Sequence, residues 1–121
     1  MVVGGVNLSN YTNATDDEIN AFLNEFRSAE KIIFLSRSKN NRLLEKLELD
    51  EDSAIEYAKE LSAKNYFKGP KADFHVNRKE RGETVWEFKT KIGEIVVYMK
   101  LQVRIVPSGQ AIVISFHEDE F

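Results

Sequence analysis

Glu87, Tyr98, Lys100 and His117 have side chains that could do acid–base and phosphate chemistry. They lie in a C-terminal segment whose hydrophobicity repeats every two residues, the period of a strand. In "EIVVYMKLQVRI", Ile95, Val97, Met99, Leu101 and Val103 form one face, and Val96, Tyr98, Lys100, Gln102 and Arg104 form the other. In "TVWEFKTK", Trp86 and Phe88 belong with the apolar side, while Val85, Glu87 and Lys89 turn away from it. In "QAIVISFH", Ile112, Ile114 and Phe116 are expected inward, and Ala111, Val113, Ser115 and His117 outward. An even turn around Ile92-Gly93 sets Lys91 opposite Glu94 and Glu87 opposite Tyr98. Setting Ile105 opposite Gln110 brings Tyr98 opposite His117, with Lys100, Ser115 and Val85 in the next row.

Directly opposed side chains lie within about 5 Å at Cβ, so a carboxylate, a phenol and an imidazole would share one row beside a lysine. That set suits a phosphodiester. A base takes the proton of an RNA 2′-hydroxyl, cations hold the phosphorane charge, and an acid protonates the leaving 5′-oxygen. A histidine fits either proton-transfer role, and no metal is required. Solvated sheet faces carry the same residue types, so pattern alone leaves a plain solvated face open beside a catalytic one.

The elements that must position this row are readable in outline. "TDDEINAFLNEFRSA" opens with Thr15 and Glu18 at capping-box spacing, then places Ile19, Phe22, Leu23 and Phe26 on one helical stripe. "KIIFLSRS" reads as a strand or an extended link, and "NRLLEKLEL" as a short helix. "LDEDSAIEYAKELSA" is a third helix with Ala54, Ile55, Ala58 and Leu61 on one side, broken by Gly69-Pro70. The stretch from Phe74 to Gly82 reads as a loop, and residues 1–12 as a loosely held tail. Three strands joined by "KIGE" and "VPSG" make an antiparallel meander. The expected fold is therefore α+β, one domain over residues 1–121, with N-terminal helices on one face of a C-terminal antiparallel sheet.

Composition narrows the function classes. The chain has 121 residues, 42% hydrophobic and 31% charged, with no apolar run near the ~20 residues of a spanning helix. No signal peptide is apparent and there is no cysteine, which excludes disulfides and a cysteine nucleophile and fits a cytoplasmic protein. Two histidines, His75 and His117, do not furnish a zinc site by themselves, and no cofactor is expected. The net charge of −3 is unevenly spread. Met1 to Ala63 holds 7 basic and 12 acidic residues, whereas Lys64 to Arg104 holds 10 basic and 5 acidic. A basic half bearing the sheet suits a polyanion-facing surface.

Three stretches, "LSAKNYFKGPKADF", "ETVWEFKTKIGEIVVYMKLQV" and "AIVISFHEDEF", together resemble the MqsR-like toxins of bacterial type II toxin–antitoxin systems, within the wider RelE-like group of mRNA interferases. The likeness runs from Leu61 to the end, and the N-terminal helices match only in kind. It implies a sequence-selective ribonuclease that cuts messenger RNA and is held inactive by a cognate antitoxin protein. Residue by residue, it implies functional roles for Lys68 after an aromatic pair, Glu87 after the strand Trp, Tyr98 in "V-Y-M-K-L" and His117 after "S-F". Glu87 stands where some members have Gln, and His117 where some have Lys, which leaves open which group is base and which is acid.

The residue reading then assigns a proton-donating role to His117, base or ion-pairing duty to Glu87, and phosphate binding to Lys68, Lys100 and Arg104. Tyr98 could pack on its neighbours or stack a base. Lys89, Arg78 and Arg81 are further candidate RNA contacts, and His75 is an incidental loop residue. A non-catalytic RNA- or antitoxin-binding module of the same fold, and a purely structural domain, are the competing readings.

Overall fold

A computed structural model describes residues 13–72 and 83–120. The expected tail at residues 1–12, and Arg78, Arg81 and His75, lie outside the described residues. The described chain is α+β, with three helices and a five-stranded sheet. Helix α1 spans Asp16–Ser28, strand β1 Lys31–Phe34, α2 Ser38–Leu47 and α3 Glu51–Lys59. A short 3-10 turn, Ala63–Asn65, leads into β2, Tyr66–Ala72, followed by β3, Thr84–Ile92, β4, Ile95–Val103, and β5, Gln110–Glu118.

Helix α1 forms as its sequence dictates. The Thr15 hydroxyl accepts from the Glu18 amide at 3.2 Å, and the Glu18 carboxylate accepts from the Thr15 amide at 2.8 Å. Ile19, Phe22, Leu23 and Phe26 are buried, and the Phe22 ring stacks on Trp86 with centroids 4.6 Å apart. Asp50 caps α3 by accepting from the Ser53 amide at 2.8 Å. Ala54, Ala58 and Leu61 then join one core with Leu43 and Leu44 of α2 and with Phe88, Val97, Met99, Leu101 and Phe116 of the sheet. Trp86 and Phe88 are core residues, as parity requires.

The sheet order is β1-β5-β4-β3-β2, and three features depart from expectation. The sheet is mixed: β1 joins it parallel to β5, with Lys31 opposite Gln110 and Phe34 opposite Val113. A four-residue strand is too short to show alternation, and its partner lies at the other end of the chain. Second, "YFKGPKA" is strand β2 on the opposite edge, antiparallel to β3, rather than a link out of the helix. Gly69 permits it: its φ is +123°, and a Cβ there would meet the Trp86 Cα and the Val85 carbonyl oxygen at 3.0 Å.

The third departure is register. The turn between β3 and β4 is Gly93-Glu94, with Ile92 opposite Ile95, one residue later than expected. Gly93 has φ +60°, the left-handed conformation such a turn uses. Parity and faces survive, but partners move by two: Glu87 is opposite Lys100, and Tyr98 is opposite Lys89. The β4–β5 pairing keeps Tyr98 opposite His117 and Lys100 opposite Ser115. A bulge then shifts the register, so Leu101 faces Val113, Val103 faces Ala111, and Arg104 rather than the expected Ile105 meets Gln110. Ala111 and Val113 therefore belong to the helix-covered core, not to the outer face, while Ile112 pairs with Gln102.

Candidate nucleic-acid interface and acid–base site

Asn40 explains why the bulge is stable. A bulge leaves backbone groups without ladder partners, and burial makes that costly. The Asn40 amide nitrogen donates to the carbonyls of Leu35 and Ile114, both at 2.9 Å, and its oxygen accepts from the Phe116 amide at 3.0 Å. The residue is only 1% exposed. One side chain thus ties the end of β1 and the bulge of β5 to the first turn of α2. The sequence carried a signal for it: Asn40, Leu43, Leu44 and Leu47 share one helical stripe, and the first of them is polar.

This attachment brings the start of α2 to the outer face of the sheet. A cleft of about 490 Å3 lies there, lined by Arg37, Lys39, Tyr98, Lys100, Ser115, His117 and their neighbours Ser38, Asn40 and Glu120. Arg37 occupies the position before the helix without a side-chain cap to the first turn. Three cations and the positive end of a helix dipole therefore border the tyrosine and the histidine. Arg37 and Lys39 went unnoticed in the sequence because only the bulge and its asparagine bring them near.

Within the cleft Tyr98 and His117 stack, with ring centroids 5.0 Å apart and planes 29° from parallel. His117 Nδ1 lies 3.0 Å from the Glu118 carbonyl oxygen. A carbonyl only accepts, so this contact is a hydrogen bond when Nδ1 carries the proton, which leaves Nε2 for proton exchange. Tyr98 also bonds to Glu87 across the diagonal of the β3–β4 pair. Burial pushes the phenol above its ordinary value, and the Glu87 bond together with the Glu87 and Asp119 charges pushes it further. It stays protonated, as a donor to the carboxylate.

Glu87 is the buried anion of the site, 5% exposed. Burial raises its pKa, but the Lys71 and Tyr98 hydrogen bonds and the Lys71 and Lys100 charges outweigh that and leave it lowered. Lys71 Nζ lies 2.8 Å from Glu87 Oε2. Lys71 was missed in the sequence because its position matters only once β2 is known to flank β3. Lys68 does reach the site's edge, in register with Glu87 on β2 and not in a loop. Lys89 pairs with Asp119 Oδ2 at 3.1 Å, and its ammonium sits 4.0 Å from the Phe67 ring centroid. Arg104 is at the far end of β4, with Nη1 3.6 Å from buried Glu83, and is not brought to the row.

Among the described residues, no three His, Cys, Asp or Glu side chains gather where they could hold a metal ion, and no helix is long and apolar enough to cross a membrane. Comparison of the chain with protein-family models, with curated proteins and with solved structures finds no match.

Proposed function

We propose that this chain is a metal-independent endoribonuclease, an mRNA interferase toxin of the MqsR-like, RelE-like kind, acting in the cytoplasm and held by a cognate antitoxin. One observation carries the reading: Tyr98 is bonded to Glu87 while its ring stacks on His117, and tyrosine and histidine together open onto a cleft bordered by Arg37, Lys39 and Lys100. The family resemblance of the last half of the sequence rests on the same residues and points the same way.

On this reading Glu87 and Tyr98 take the base role and His117 the acid role. Glu87 is ionised well into acid, so at neutral pH it can only accept a proton. Tyr98 donates to Glu87, which turns a lone pair of the phenol oxygen toward an incoming hydroxyl. The 2′-hydroxyl proton passes to the Tyr98 oxygen as the phenol proton passes to Glu87. The 2′-oxygen attacks phosphorus, and the bond to the 5′-oxygen breaks. His117, as imidazolium, gives its proton to that leaving oxygen. Lys100, with Arg37 and Lys39, neutralises the phosphorane. The products are a 2′,3′-cyclic phosphate and a 5′-hydroxyl.

The near-complete burial of Glu87 and its pairing with Lys71 favour the competing reading, a non-catalytic RNA- or antitoxin-binding module. Incubating the purified chain with RNA in EDTA and mapping the ends separates the two. Cleavage with cyclic-phosphate ends, lowered roughly 10²- to 10⁴-fold by His117→Ala, supports the enzyme. RNA left intact by the wild type overturns it, and the absence of growth arrest on induced expression would argue the same way.

A further inference from the structure

Phe67 is an aromatic ring that the fold leaves outside its core. It stands in β2 where the register with β3 shifts: Tyr66 is opposite Phe88 on the core side, and Lys68 is opposite Glu87 on the outer side. The extra residue between them turns out, and Phe67 is 38% exposed. Two ammonium groups lie against its ring, Lys89 Nζ at 4.0 Å from the centroid and Lys68 Nζ at 5.0 Å. Lys89 is fixed there by Asp119, at 3.1 Å, and stands directly opposite Tyr98. The backbone of β2 thus runs about one strand spacing, some 4.8 Å, from that of β3, which carries Glu87.

We propose that Phe67, Lys68 and Lys89 form a base-stacking subsite, which takes one unpaired base of single-stranded RNA next to the phosphate held in the Tyr98–His117 cleft. The chemistry selects this occupant. A flat π-face accepts any nucleobase, and aromatic rings beside cations are how proteins grip unpaired strands without duplex contacts. An apolar protein anchor would be expected to meet an apolar surround, whereas this ring has two ammonium groups over it, which a stacking base would displace toward the phosphates on either side of it. The subsite rests on reading the outer face as RNA-facing, and it extends that face from α2 across to the opposite edge of the sheet.

The test measures binding of the full chain to two labelled, uncleavable strands of 2′-O-methyl RNA of equal length, one with bases and one abasic. Phe67→Leu keeps an apolar side chain at an exposed position and removes the π-face. It is expected to weaken binding of the base-bearing strand about tenfold while leaving the abasic strand within twofold, and Phe67→Trp is expected to restore the difference. Equal loss on both strands, or no loss on either, overturns the subsite. Cleavage by the wild type reports on the enzyme reading separately. Intact RNA with a base-selective Phe67→Leu defect sinks that reading and keeps the subsite. Cleaved RNA with no Phe67→Leu defect does the reverse.

Discussion

The two faces of this sheet are held by different kinds of interaction. On the helix-covered face, Phe88, Val97, Met99, Leu101 and Phe116 are fully buried against α1, α2 and α3. Apolar contacts there are non-directional, so any apolar residue of about the right size on the right parity does the work. On the open face, Lys71 meets Glu87, Glu87 meets Tyr98 and Tyr98 meets His117, each through a specified atom or ring. A two-residue slip of β3 against β4 would leave the first face almost as good and dismantle the second. Parity is enough to make a core, but a site needs register.

The sharpest way to break that contrast is to mutate one residue from each face. Phe88→Ala is expected to cost about 3–5 kcal/mol, much of a small domain's stability, and to abolish cleavage by unfolding the chain. His117→Ala removes a half-exposed ring and is expected to cost less than about 1 kcal/mol, yet to lose cleavage as described above. Urea unfolding read beside end-mapped cleavage decides. If His117→Ala destabilises as Phe88→Ala does, the open face is structural and the contrast collapses.

Asn40 belongs to neither face but joins them, and its loss is expected to fall next in size. Asn40→Leu completes the apolar stripe of α2 but takes the acceptor from the Phe116 amide and a donor from each of the Leu35 and Ile114 carbonyls, the second of which still accepts from Arg37 at 3.3 Å. The stranded Phe116 amide and the two weakened carbonyls set a cost of about 2–4 kcal/mol by urea unfolding. The folded fraction should also cleave more weakly, because Arg37 and Lys39 lose their anchorage to the cleft. A Leu variant as stable as the wild type would mean that the bulge does not depend on this side chain.

How much of this was legible follows the same division. The α1 capping box, the apolar stripes and the inward strand positions of β3 and β4 were readable because propensity and periodicity are local. Tyr98 opposite His117 came out as expected because two departures cancel: Arg104, not Ile105, meets Gln110, and the bulge then restores the pairing. Lys100 opposite Glu87 was not, since moving the turn from Ile92-Gly93 to Gly93-Glu94 preserves every face. Ala111 and Val113 were put on the wrong face because the bulge depends on Asn40, some 70 residues upstream in sequence. The mixed sheet escaped for the same reason, since β1 finds β5 only in three dimensions. Of the cations, Lys100 and Lys68 reach the site, and Arg104 goes instead to Glu83.

The smallest expected effect appears only at the extremes of pH, and it tests whether the open face is the electrostatic unit described here. Glu87 is lowered from 4.5, so its ionised form favours the fold above that pH, and the contribution is lost as pH falls through the folded value. Tyr98 is raised above 10.0, so its contribution is complete below that pH and is lost as pH climbs toward the folded value. Urea midpoints of wild type, Glu87→Gln and Tyr98→Phe between about pH 3 and 11 report both. The gap between wild type and Glu87→Gln should close below pH 4.5, and the gap to Tyr98→Phe above pH 10.0. Because the two groups share a hydrogen bond, each substitution should also flatten part of the other's limb, by an amount the double variant measures. Two independent limbs would mean that the carboxylate and the phenol do not act together, and the proton route through Tyr98 would lose its footing.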